Sequence, residues 1–243
     1  MRTALLILLI LGSASMADAQ GLPALSLTTD DAGTTYSLSF QILILMTALT
    51  VLPSLVLGMS AFTRIIIVLS ILRQALGTQQ TPPNQVLIAM ALFLTFFVMQ
   101  PTLTELYDTT AEPYLAGTLP AETALAQGGD VMKRWLVGNT RQNDLLMFSE
   151  MAKTGPYAKP EDVPFAVLLP AFMTSELKTA FQIGFLLFLP FLVIDMVIAS
   201  ILMALGMMML SPMLVSLPFK LLLFVLVDGW ALTIGSLAAT YGG

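Results

Sequence analysis

The sequence contains neither cysteine nor histidine among its 243 residues. Without cysteine the chain offers no disulfide and no thiolate nucleophile, and without either residue it has no Cys/His metal site and no histidine-based catalytic triad. These absences exclude most hydrolase mechanisms. We accordingly expect no metal ion and no other cofactor.

Charged residues are scarce and unevenly distributed. They make up 10% of the chain; none lies in residues 32–63 or 74–104, and only Asp195, Lys220 and Asp228 lie in residues 179–243. The net charge is −5 at pH 7, and no basic patch resembles a nucleic-acid footprint. Nucleic acid is therefore excluded as a partner.

Apolar residues dominate instead, at 57% before glycine is counted, whereas soluble domains have about 45–50% with glycine included. Residues 40–59 and 86–103 each approach the roughly 20 residues that cross a bilayer, and two more apolar segments follow residue 163. The pattern predicts an all-α integral membrane-type protein. Two kinked apolar helical hairpins, residues 40–104 and 163–243, flank a small helical periplasmic insertion, residues 105–162.

The first residues, MRTALLILLILGSASMADAQ, have the features of a cleavable signal peptide. Arg2 precedes an apolar run that is too short to span, and Ala17-Asp18-Ala19 is a small-x-small cleavage site. We predict a signal peptide over residues 1–19 and a periplasmic leader over residues 20–39; an uncleaved anchor is the alternative. Arg64 and Arg73 are then the only charges between the first two spans, and the positive-inside rule makes them cytoplasmic-side charges.

Proline lies inside three of the apolar segments, at Pro53, Pro101 and Pro190. Each removes a backbone hydrogen bond, so we expect kinks. Kinked helices need protein neighbours because freed carbonyls are not satisfied in lipid. A chain of this size cannot surround its own kinked helices, which indicates oligomerisation.

Asp195, Lys220 and Asp228 are polar residues within apolar spans, where a charge is costly and suggests function. Two aspartates are compatible with an intramembrane aspartyl protease, but FLVIDMVIAS and VLVDGWAL lack the Gly-x-Gly-Asp context of that class. The aspartates otherwise bond Thr, Trp or backbone groups of neighbouring helices or pair with Lys220, or they couple to proton movement.

Glu176 and Lys178 are two positions apart, so they do not share a helix face and must satisfy different neighbours. Each either reaches a charge on an adjacent subunit or lies in the interfacial zone at a helix start. Phe148 and Glu150 either pack within the insertion or contact an adjacent subunit, and the sequence leaves both possibilities open.

Three consecutive methionines, Met207, Met208 and Met209, stand between Gly206 and Ser211-Pro212. Neighbouring helical residues are about 100° apart, so the three would not form one stripe on a helix. The flanking residues place them on a turn. Several copies of such a turn would form a ring of thioethers that dewets when idle and deforms to admit a polypeptide. The alternative is a loop buried against a partner or lipid.

Four runs of residues resemble one protein family: TRIIIVLSILRQALGTQQTPPNQVLIAMALFLTFFVMQP, LLPAFMTSELKTAFQIG, FLVIDMVIASILMALGMMMLSP and LPFKLLLFVLVDGW. They are similar to the FliP family, the P subunits of the flagellar type III protein export gate, over about residues 40–100 and 164–230. Injectisome relatives share this core, and the signal peptide favours the flagellar branch. Residues 21–39 and 115–129 carry no part of the resemblance.

The resemblance implies a homopentameric ring that assembles with FliQ and FliR subunits into a conical channel in the flagellar basal body, beside FlhA-type and FlhB-type subunits. Unfolded rod, hook and filament proteins would cross the inner membrane through it. It places a methionine gasket on Met207, Met208 and Met209, and intersubunit contacts on Phe148 and Glu176. It also implies that the apolar helices lie largely on the periplasmic side of the membrane plane. Hydropathy suggests spans, so we expect membrane-competent segments at insertion that become protein-packed helices in the complex.

The predicted function is a non-enzymatic, pore-forming subunit of the flagellar export gate. The alternatives are an injectisome gate subunit, a small-solute channel or transporter, and the aspartyl protease. A transporter would show paired hairpins with internal similarity, which residues 40–104 and 179–236 do not show.

Overall fold

A computed structural model of the chain describes residues 25–30, 33–38, 40–78, 80–207 and 209–241. The signal peptide predicted for residues 1–19 lies outside the described residues, as does Met208. The chain divides into two compact units between Ser54 and Leu55.

The first unit contains a β-hairpin within the predicted leader. Strand β1 (Leu25–Asp30) pairs antiparallel with β2 (Gly33–Leu38), and Leu25 lies opposite Leu38. No secondary structure is predicted for this segment, so the hairpin is an addition to the predicted helical fold. Helix α1 (Phe40–Gly58) begins in this unit.

The second unit is helical throughout its described elements. After α1 these elements are α2 (Phe62–Ala75), α3 (Asn84–Leu106), α4 (Glu112–Leu115), α5 (Ala121–Gly138), α6 (Gln142–Met151), α7 (Phe165–Ala204), α8 (Pro212–Leu226) and α9 (Gly229–Ala239). A π-helical turn, Tyr107–Ala111, joins α3 to α4, and a 3-10 turn, Pro160–Asp162, precedes α7.

Among the described residues, two stretches of helix are long and apolar enough to cross a membrane, residues 84–115 and the 40-residue α7. Up to four spans result if each of two bent pairs, α1 with α2 and α8 with α9, counts as one. The predicted all-α membrane class is thus confirmed. The 64° bend between α8 and α9 follows Leu226 and does not lie at a proline, whereas α7 continues as helix through Pro190.

Helix α2 lies at the centre of the main core, packed against α3 and α7. Its buried residues Ile65, Val68, Leu69 and Leu72 lie at positions i, i+3, i+4 and i+7, which gives one continuous apolar face. The hydropathy pattern predicts a connection between spans for residues 60–85. Most of that connection is instead a core helix.

Helices α5 and α6 lie within residues 105–162, the predicted insertion, and pack against α7. The contact is a cluster of buried apolar side chains from α5, the segment before α7 and the first turns of α7: Leu136, Val163, Val167, Leu168 and Phe172. The start of α7 is therefore covered by this lobe.

Candidate functional site

The methionine run lies in the turn between α7 and α8. The N–H groups of Gly206 and Met207 donate to the carbonyls of Met203 (3.0 Å) and Leu202 (2.9 Å), which closes α7 with a Schellman motif. Gly206 has φ +74°, a value that favours glycine. Helix α8 begins directly after Ser211. The predicted turn between Gly206 and Ser211-Pro212 is confirmed.

The side chains of this turn are apolar and exposed. Met207 is 39% exposed, Met209 is fully exposed, and Leu205, Leu210 and Leu214 are at least half exposed. Apolar exposure of this kind in consecutive residues marks an interaction surface. The gasket of Met207, Met208 and Met209 stays a prediction, because a ring requires further copies of the chain.

Near the turn, the buried cation Lys220 connects three helices. The Nζ of Lys220, in α8, donates to Oδ2 of Asp195 in α7 (2.6 Å) and to the carbonyl of Ala75 at the end of α2 (3.0 Å). The hydroxyl of Ser216, also in α8, donates to the other carboxylate oxygen of Asp195. Lys220 and Ser216 are buried, and the Asp195 side chain is 29% exposed. We call these four residues the Lys220 junction.

Of the interpretations of Asp195 left open above, the structure shows the pairing with Lys220. Asp228 is placed differently: it is exposed at the break between α8 and α9, with a left-handed backbone (φ +49°). In the single chain its left-handed backbone forms the corner between the helices, and its role as an intramembrane polar residue stays a prediction. A protease dyad needs two carboxylates that share a proton, whereas the partners of Asp195 are Lys220 and Ser216.

A second buried cluster fixes the other end of α2. The guanidinium of Arg64 donates from Nε to Oε2 of Glu176 (3.0 Å) and from Nη2 to Oε1, a bidentate pair. The hydroxyl of Tyr241 also donates to Oε2 of Glu176 (2.6 Å), and Arg64 lies 3.9 Å from the centre of the Tyr241 ring. Nη1 of Arg64 donates to Oγ1 of Thr240 (2.9 Å). We call these four residues the Arg64 cluster.

Burial decides the interpretation of two predicted site residues here. Arg64 is 4% exposed and Glu176 is fully buried. Arg64 therefore lies in a core helix and not in a loop, with its charge neutralised by Glu176. Its placement on the cytoplasmic side of the membrane stays a prediction. The direct partners of Glu176 lie in its own chain, and its intersubunit contact stays a prediction. Tyr241 was missed, since an isolated tyrosine gives no periodic signal.

Lys178 has a partner of its own, as its spacing from Glu176 predicts. Its ammonium donates to Oδ1 of Asp144, in the first turn of α6. Lys178 is half exposed, whereas Asp144 is buried, and Oδ2 of Asp144 has no hydrogen-bond partner among the described residues. A carboxylate in that first turn is favoured by the helix dipole. The pair fastens α6 to α7.

The remaining predicted residues have local contacts. Phe148, in α6, is half-buried and packs on the lobe cluster of Leu136 and Phe172. Arg73 donates from Nη1 to Oδ1 of Asn84 (2.6 Å) and to the carbonyl of Pro82 (3.1 Å), which ties the end of α2 to the start of α3. Within the described residues, no group of three or more candidate side chains is placed to hold a metal ion.

The profile of the FliP family matches residues 45–237. The chain is 79% identical over 223 residues to a protein of Cereibacter sphaeroides, covering 92% of this chain and 74% of the relative. It is 55% identical to a protein of Pectobacterium carotovorum subsp. carotovorum over 86% of this chain and 81% of the relative. It is 48% identical to one of Bacillus subtilis (strain 168) over 84% and 93%. All three relatives are named flagellar biosynthetic protein FliP.

Proposed function

Because the chain belongs to the FliP family, we propose that it is a structural, pore-forming subunit of the flagellar type III export gate. Its relatives are named for flagellar biosynthesis, and it is a component of the flagellar export apparatus. The observation that carries the pore-forming role is the exposed apolar turn of Met207 and Met209 at the end of α7.

The length of α7 supports assembly into a ring of several copies. Forty residues at 1.5 Å each make a helix of about 60 Å, twice the roughly 30 Å of membrane hydrocarbon. Large exposed apolar side chains recur along α7 from Leu177 to Met203, a distance of about 40 Å. Lipid cannot cover all of them. Protein must cover the remainder, as it would in a complex whose helices lie largely on the periplasmic side of the inner membrane.

The partners proposed for this surface are further copies of the chain, in a pentamer, with FliQ and FliR subunits and FlhA-type and FlhB-type subunits nearby. The cargo is unfolded rod, hook and filament protein. Phe148, Glu176 and Lys178 are the proposed intersubunit contacts. Lys178 is the most accessible of these charges, because its side chain is 51% exposed while Glu176 is fully buried.

We assign the seal of the idle pore to Met207, Met208 and Met209. A polypeptide channel must hold back ions without gripping its cargo. Methionine side chains would close the pore through apolar contacts that are broken at little free-energy cost. Their three rotatable bonds would let them adapt to different segments of the cargo. The Schellman motif presents the turn without using any methionine side chain for its own hydrogen bonds.

The test is the triple variant Met207→Ala, Met208→Ala and Met209→Ala. It shortens the proposed ring while keeping Gly206 and Ser211-Pro212, so the complex should assemble and leak ions or small molecules in cells. Triple leucine replacement keeps bulk without flexibility and should restore the seal while slowing export. A tight membrane in cells with assembled alanine variant would show that the turn is packing only.

A further inference from the structure

The Lys220 junction lies close to the base of the methionine turn. Asp195 is nine residues before the end of α7 at Ala204, and Lys220 is eight residues after the start of α8 at Pro212. At 1.5 Å per residue, both are about 13 Å from the turn. The junction therefore crosses the hairpin near its tip, where its geometry determines the direction of the last turns.

Beyond the junction the hairpin has little apolar cover. Leu202 is buried, whereas the large apolar side chains around it are largely exposed: Met196, Val197, Ile201, Met203, Leu205 and Leu214. A segment with few buried apolar contacts opens at low free-energy cost. The position of the tip consequently depends on what holds its base.

The junction connects that base to the rigid core through Ala75. Ala75 is the last residue of α2 and is fully buried. Its carbonyl is one of the terminal groups that a helix leaves unpaired, and a cation at this end is favoured by the helix dipole. Because the Arg64 cluster holds the start of α2, the Lys220 ammonium ties the hairpin to a helix that is fixed at both ends.

A cavity beside the junction provides room for the hairpin to move. It has a volume of about 600 Å³ and is lined by both charges of the pair, by Gly77 and Phe188, and by Met213 at the start of α8. Close packing on this side would hold the hairpin without any ion pair. Because this side is open, the contacts of Lys220 with Asp195 and with the carbonyl of Ala75 hold the hairpin in place.

We propose that Lys220 is a positioning residue for the methionine turn, which it holds at one place relative to α2 by bridging Asp195 and the carbonyl of Ala75. The consequence for gating rests on the proposed function of the turn as a seal. The positioning itself is a property of the single chain. Loss of the ammonium would let the tip shift into the cavity, so that several copies could no longer bring their methionines together.

The experiment uses the absence of cysteine from the sequence. Spin labels at Phe97→Cys, exposed on α3, and Met209→Cys in the turn report one intramolecular distance when the doubly labelled full-length chain is diluted into excess unlabelled chain, so that an assembly holds at most one labelled copy. The parent should show a narrow distance distribution. Lys220→Met should at least double its width, and Lys220→Arg should restore part of it, because arginine keeps the charge with a different shape.

Two controls distinguish a chain that is only less stable from one in which the methionine turn has lost its position. Lys220→Met with Asp195→Leu removes both charges of the pair and should regain thermal stability, since an ion pair with a buried member is often replaceable by apolar residues. Its distance distribution should nevertheless stay broad, because the bridge to Ala75 is gone. Glu176→Gln, in the Arg64 cluster, should lower stability without broadening the distance.

The outcomes separate the two proposals. A narrow distribution in the Lys220→Met, Asp195→Leu chain overturns the positioning role and leaves Asp195 as the counter-charge of Lys220 alone. If that distribution is broad but cells with the assembled variant retain ions, positioning stands and the seal assigned to the methionines fails. A broad distance distribution together with ion leakage supports both the positioning role of Lys220 and the methionine seal.

Discussion

Gly184 in α7 lies directly against Ile71 in α2: a Cβ built on the glycine would be 2.4 Å from Cδ1 and 3.2 Å from Cβ of the isoleucine. The absence of a side chain at Gly184 thus permits the close approach of the two helices that form the centre of the core. With Ala180 four residues earlier, also fully buried, it forms a small-xxx-small face of the kind found between membrane helices.

We predict that Gly184→Ala lowers the free energy of unfolding by about 1–3 kcal/mol, because the added methyl overpacks this contact. Thermal unfolding of the purified full-length chain in detergent measures the change. Adding Ile71→Val removes the nearest atom and should recover part of the loss. Gly235→Ala, at a helical glycine with nothing within 4 Å of the added Cβ, is the matched control and should be neutral or slightly stabilising.

A second prediction concerns the charge balance of the Arg64 cluster. Glu176→Gln should destabilise the chain by about 3–5 kcal/mol, because it leaves the buried Arg64 guanidinium without a counter-charge. Arg64→Lys should also destabilise, since an ammonium cannot reproduce the bidentate contact.

The control for this prediction is an exposed ion pair. Arg134 pairs with Glu105 and Glu161 on the surface of the lobe, so Arg134→Ala should change stability by about 1 kcal/mol or less. If Glu176→Gln and Arg134→Ala lower the free energy of unfolding equally, burial does not make the Arg64–Glu176 pair more important than the exposed one. If Glu176→Gln leaves monomer stability intact but prevents ring assembly, the contact that matters is the intersubunit one.

Tyr241→Phe tests the hydroxyl in the same cluster. Burial first, and the Glu176 carboxylate second, raise the pKa of the Tyr241 hydroxyl above its ordinary value, so it stays a donor. Removing a hydrogen bond to a charged group should cost about 1.5–3 kcal/mol. The ring over Arg64 is kept in phenylalanine and lost in Tyr241→Leu, which should therefore unfold at lower temperature. A leucine variant as stable as the phenylalanine variant would show that the ring contributes nothing.

The corner between α8 and α9 gives a fourth prediction. A Cβ at Gly229 would lie 2.2 Å from two ring carbons of Phe224, which packs edge-on against Trp230 at 5.4 Å. Gly229→Ala should displace the phenylalanine, lower stability by about 1–3 kcal/mol and shift the emission of Trp230. Gly138→Ala, at a glycine with open space around it, should leave both unchanged. If Gly229→Ala and Gly138→Ala give the same Trp230 emission, the Phe224 ring does not lie between Gly229 and Trp230.

The helical elements and the methionine turn could be predicted because their signals are local. Run length identifies the apolar helices, and Gly206 with Ser211-Pro212 marks where the chain reverses. The β-hairpin had a local signal that was overlooked. LSLTTD and GTTYSL contain strand-forming threonine and tyrosine on either side of turn-forming residues, but the segment is polar and precedes a long apolar run.

The polar contacts could not be predicted, because their partners are distant in sequence. A single sequence shows that Arg64 interrupts an apolar pattern, but not that Glu176 and Thr240 are its partners. The same limit applies to Ala75, whose carbonyl accepts from Lys220 at 145 positions' separation. Periodicity places a charge on a helix face, whereas tertiary packing decides whether that face meets solvent or another charge.

The separation of Arg64 from Glu176 has a consequence for biosynthesis. The two residues are 112 positions apart, and at about 5–20 residues per second the arginine is translated roughly 6–22 s before its carboxylate. An unpaired guanidinium in apolar surroundings is costly, so for that interval it must remain hydrated or be held by another group. Thr240 follows later still, 176 positions after Arg64. The first core helix of this chain therefore stays in an incomplete environment until partner residues that are translated much later have been added.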